Sequence, residues 1–80
     1  MDPNEFEELA GRVDGVARAV MHLAAALEMQ GVIDGPHLSR MWRASVQPQA
    51  QGALLASRCV LQEMADRLDE ARAVRQSRAR

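Results

Sequence analysis

The apolar residues in the first third of the chain fall at Phe6, Leu9, Val13, Val16, Val20, Leu23 and Leu27. The alternating spacing of three and four holds without a slip, which is the heptad stripe of a long amphipathic helix. Asp2 supplies an N-cap acceptor and Pro3 a first helical residue. Glu5, Glu7 and Glu8 put negative charge where the helix dipole favours it, and Gly31 closes the element as a C′ glycine. The pattern predicts helix 1 over about residues 3–30. Gly11 and Gly15 lie on its outward side, and Asp14-Gly15 is a turn signal, but the heptad keeps its phase through this stretch.

Asp34 followed by Gly35-Pro36 starts a second, short helix over about 36–46, with Leu38, Met41, Trp42 and Val46 on one stripe. Gln47-Pro48 stops it, because the residue before proline is pushed out of the α region. Helix 3 is predicted over about 49–75, with a weaker seam through Ala50, Leu54, Ser57, Leu61, Met64, Leu68 and Ala71, and a frayed tail at 76–80.

This pattern predicts one domain over 1–80, all-α: a long antiparallel helical hairpin with a short connecting helix. In the expected register Leu27 meets Leu54 near the corner, and Phe6 meets Ala71 and Val74 at the open end. That register would also set the acidic run Asp2, Glu5, Glu7, Glu8 beside the basic run Arg72, Arg75, Arg78, Arg80. Ala10, Ala17 and Ala24 on one flank and Ala19 and Ala26 on the other widen the apolar face of helix 1. A single hairpin cannot cover so wide a face, so pairing into a homodimeric four-helix bundle is expected. The alternative is a monomeric three-helix bundle with helix 2 folded across the seam.

Composition narrows the function. Eighty residues leave little room for both a core and an enclosed active site. Cys59 is the only cysteine, so neither an internal disulfide nor a cysteine zinc site can form, which fits a reducing cytoplasmic setting. No secretory signal or spanning segment is expected, since the start is acidic and the apolar stretch around "AVMHLAAAL" is short. A net charge of −1 argues against a dedicated nucleic-acid binder, although all ten basic residues are arginine.

Candidate chemistry is sparse. His22 and His37 have no partner at ligand spacing, and Ser57 has no base to activate it. Cys59 reads as a small hydrophobe on the outer face of helix 3. No enzyme, cofactor or metal site is expected. Trp42 and Met41, with Arg40 and Arg43 beside them, are the candidate partner-binding residues, because Trp and Met are frequent at contact surfaces. The bland reading of Trp42 is a plug at the end of the core.

The functional expectation is a non-enzymatic protein-interaction module that binds stoichiometrically. A small phage or mobile-element inhibitor of a host complex, of the anti-CRISPR sort, is one form it could take, by analogy of type alone. A small DNA-binding regulator using "VIDGPHLSRMWR" as a helix-turn-helix elbow is the alternative. Its spacing is off by about one residue, and helix 1 is unlike the short first helix of such motifs. A purely structural oligomerisation domain is a third possibility.

Overall fold

The computed structural model describes residues 1–79, and among these there are three helices and no strand: α1 (Pro3–Met29), α2 (Gly35–Ala44) and α3 (Ala53–Arg78). The chain is all-α, with a helical hairpin and a short helix, as the pattern predicts.

The helix ends follow from local chemistry. Asp2 Oδ1 accepts from the Glu5 amide at 2.8 Å, and Asp34 Oδ1 accepts from the His37 amide at 3.0 Å. Each is followed within two residues by a proline that starts the helix without wasting an amide donor. α1 ends in a Schellman turn. Gly31 adopts φ +72°, its amide donates to Glu28 O at 3.0 Å, and the Val32 amide donates to Leu27 O at 2.9 Å. α1 is continuous through Gly11 and Gly15, so the phase of the heptad decides over the Asp14-Gly15 turn signal.

Three boundaries differ from expectation. α2 ends at Ala44 rather than 46, with the Ser45 hydroxyl donating to Trp42 O at 2.9 Å. α3 starts at Ala53 rather than 49, because Gly52 at φ +63°, ψ −133° holds a backbone shape that helix cannot continue through. At the other end α3 runs on to Arg78, so residues 76–78 are helical rather than frayed, and Arg80 lies outside the described residues.

α2 packs mainly against α3, with lesser contact between α1 and either of the other helices. Ion pairs fix the directions. Arg43 at the end of α2 reaches Asp66 and Asp69 on α3, while Gly35 at its start lies against Glu28. Glu28 in turn pairs with Arg72 and Arg75. The chain therefore reverses between α2 and α3, and the last turns of α1 meet the last turns of α3.

The expected pairing of the long helices is not the one formed: Glu28 meets Arg72 and Arg75 while Phe6 shares a groove with Val60, so α1 and α3 run in the same sense rather than antiparallel. Glu28 sits at Arg72, so its neighbour Leu27 is about 27 Å along α3 from Leu54 at 1.5 Å per residue. Phe6 shares a groove with Val60 instead of meeting Ala71 and Val74. Arg72 and Arg75 are tied to Glu28 rather than to the acidic run at 2–8. The alternative with α2 across the seam is not formed either, since Val16, Val20 and Leu23 stay exposed.

The core is small: Ala24, Ala65 and Leu68 are the buried apolar residues among those described, joined by Ser39. The chain is also open in shape, with a radius of gyration of 14.8 Å and extents of 49 × 29 × 20 Å. A compact chain of this length would have a radius near 12 Å.

Candidate interaction surface

Two stripes run along α1. The stripe at Ala17, Met21, Ala24 and Glu28 faces the rest of the chain, with Ala24 buried and the other three half-buried. The stronger stripe, the heptad seam, faces out. Phe6, Val16 and Leu23 are 63%, 65% and 62% exposed, and Leu9, Val13 and Val20 are exposed as well. Only Leu27 of the seven is half-buried. The small alanines let α1 approach α2 and α3 closely; the bulkier valines and leucines are left without a partner in this chain.

Of the seam residues predicted on α3, Leu68 is fully buried, Leu61 and Met64 are half-buried, and Leu54 is exposed. The difference follows from the length of α2. A ten-residue helix spans about 15 Å, so it covers only the C-terminal half of α3. Beyond its end the middle of α3 and residues 6–22 of α1 bound an open apolar groove of about 620 Å³. Phe6, Leu9, Val13 and Met21 on α1 line one wall, and Val60 and Met64 on α3 line the other. Arg18 with Asp14, and Arg67 with Glu63, are ion pairs at 2.7 Å on its rim. The groove and the seam share Phe6, Leu9 and Val13, so they form one continuous apolar face.

An ionic layer closes the other end of the molecule. Glu28, whose side chain is 9% exposed, accepts from Arg72 Nε at 2.6 Å and from Arg75 Nη2 at 3.0 Å. Arg72 also reaches Asp69 at 3.0 Å, and Arg43 joins Asp69 and Asp66 at 2.8 Å each. Hydrogen bonding to Glu28 raises the Arg72 pKa above its usual value, and hydrogen bonding to Asp66 and Asp69 does the same for Arg43. Burial pushes the Asp69 carboxyl up, but the Ser39 hydroxyl beside it and the guanidiniums of Arg43 and Arg72 outweigh that and hold it below 3.8. The Ser39 hydroxyl itself closes no hydrogen bond of good geometry.

The candidate partner-binding residues divide. Arg43 is committed to Asp66 and Asp69, whereas Met41 and Arg40 are exposed and Trp42 is half-buried. They lie on α2, away from the groove. Glu28 was not singled out by the sequence, and the groove residues Met21 and Val60 were not read as parts of a contact face. The spacing of 4, 3 and 4 between Ala17, Met21, Ala24 and Glu28 was the signal available for two of them.

Among the described residues no group of three or more His, Cys, Asp or Glu side chains comes together to hold a metal, and Cys59 is exposed and unpaired. No helix among the described residues is long and apolar enough to cross a membrane. Comparisons with protein-family models, curated proteins and solved structures give no match.

Proposed function

We propose that this protein is a non-enzymatic interaction module that works by helix-on-helix association through the apolar face of α1 and the middle of α3. The observation that carries the reading is the exposed heptad seam from Phe6 to Leu23. An exposed apolar face that is continuous over several helical turns is typical of a contact surface rather than of a free monomer surface. Its geometry suits an amphipathic helix, which would present its own apolar stripe to the seam at heptad spacing.

The ionic layer supports this division of labour. It fastens the last turns of α1 to α3 and leaves the first half of α1 with its apolar side uncovered. Stoichiometric binding, without turnover, is what such a surface offers.

The test is a charge placed in the middle of the face. Val16→Glu leaves the ionic layer and the core untouched, since Val16 is exposed. The expected result is that association with any protein, this one included, is lost while helical circular dichroism persists. If Val16→Glu binds everything the unaltered chain binds with equal affinity, the face is not the contact surface.

A further inference from the structure

We infer that the occupant of this face is a second copy of the chain, with the two α1 helices paired antiparallel along their seams. The inference rests on the reading of α1 as a contact surface and adds the identity and direction of what covers it.

The first argument is the size of the core. Ala24, Ala65 and Leu68 are the buried apolar residues described, two of them alanines. A chain of 80 residues is marginal even with a full core, and this one leaves its bulkiest apolar stripe outside. That stripe stays in water unless a partner covers it. A second copy is the one partner that is present wherever the chain is, at equal concentration.

The second argument is area. The exposed parts of Phe6, Leu9, Val13, Val16, Val20 and Leu23 amount to roughly 500–600 Å² per copy, or at most about 1,100 Å² for two, near the ~1,200 Å² at which stable interfaces begin. Self-pairing of the seam comes close to that, and closing the mouth of the groove adds to it.

Charge fixes the direction. Asp2, Glu5, Glu7 and Glu8 make the first turns of α1 acidic, with Arg12 the first base. Parallel pairing would bring two such ends together. Antiparallel pairing sets each acidic end beside residues 21–24 of the other copy, which carry no acid. Laying heptad positions against each other in that direction puts Phe6 opposite Leu23 of the second copy, Leu9 opposite Val20, and Val13 opposite Val16. The two acidic ends are then separated by most of the helix length.

Two measurements on the full chain test this. Sedimentation over a concentration series is expected to give twice the chain mass of 8.8 kDa. Val16→Glu is expected to weaken the dimer by about 100-fold or more, because it buries an unpaired carboxylate at the centre. Direction is read from oxidation of single-cysteine variants in a Cys59→Ser background. Phe6→Cys and Leu23→Cys, each alone, are expected not to cross-link, since antiparallel pairing holds identical positions about 25 Å apart. The two mixed are expected to give a covalent heterodimer, and this result does not depend on whether Val16→Glu folds. A chain that stays monomeric at all concentrations overturns the inference, as does cross-linking of Leu23→Cys to itself. A monomer that nevertheless loses a different bound protein on Val16→Glu overturns the second copy alone and leaves the contact surface standing.

Discussion

Glu28→Gln isolates what the ionic layer contributes, because it keeps the shape of the side chain and removes its charge. Glu28 accepts from two guanidiniums, Arg72 in a forked arrangement with Nε at 2.6 Å and Nη2 at 3.3 Å, and Arg75 at 3.0 Å. Its side chain is 9% exposed, and those of Arg72 and Arg75 are 18% and 31% exposed. A surface pair would be worth at most about 1 kcal/mol, and breaking a fully buried one costs about 3–5 kcal/mol. This cluster lies between the two, so a loss of about 2–3 kcal/mol is expected. For a domain of this size that lowers the melting temperature by roughly 10–20 °C. The assay is urea unfolding followed by Trp42 fluorescence and by circular dichroism, at one fixed protein concentration so that association contributes equally. A loss under about 0.5 kcal/mol would refute the reasoning, since the three side chains would then be acting as a solvated surface group.

Other outcomes follow from the same geometry. Gly35→Ala would drive a Cβ into the Glu28 side chain, which must shift from its place against Arg72 and Arg75. The variant should lose stability comparable to Glu28→Gln, and in a double-mutant cycle Gly35→Ala should have little further effect on a Glu28→Ala chain. Gly11→Ala and Gly15→Ala meet open space within a continuous helix and should raise stability by about 0.5–1 kcal/mol each, read as a higher urea midpoint. Gly52→Ala should destabilise the chain by about 1–3 kcal/mol, because φ +63°, ψ −133° is a glycine conformation at the start of α3. The Asp69 carboxyl is held below its ordinary 3.8, so its stabilising effect is fully present above that value and disappears as pH falls through the lowered one. Asp69→Asn should therefore flatten the acid limb of an unfolding curve measured from neutral pH down to strong acid.

Much of the secondary structure was legible because it is local. Asp2-Pro3, Asp34 with Pro36, and Gly31 each satisfy or end a helix through groups within a few residues, and α1 and α2 start and stop within two residues of where those signals put them. α3 starts later than the pattern predicts because the positive φ of Gly52 makes that residue a break. The seam was also legible as an apolar stripe, with Phe6 to Leu27 on one side of α1. Nothing in its periodicity says what covers it. The pairing of Glu28 with Arg72 and Arg75 spans more than forty residues, and no local signal marks it.

The sequence by itself determined three helices, the caps of α1 and α2 and the heptad stripe of α1, because helix formation depends on spacing and on neighbours in the chain. Only the tertiary structure decided which stripe turns inward. The small residues Ala17 and Ala24 allow close approach where α2 and α3 meet α1, and the Glu28 carboxylate locks that contact to two arginines. The bulkier seam is left exposed as a result, and it is the face through which we propose the protein acts.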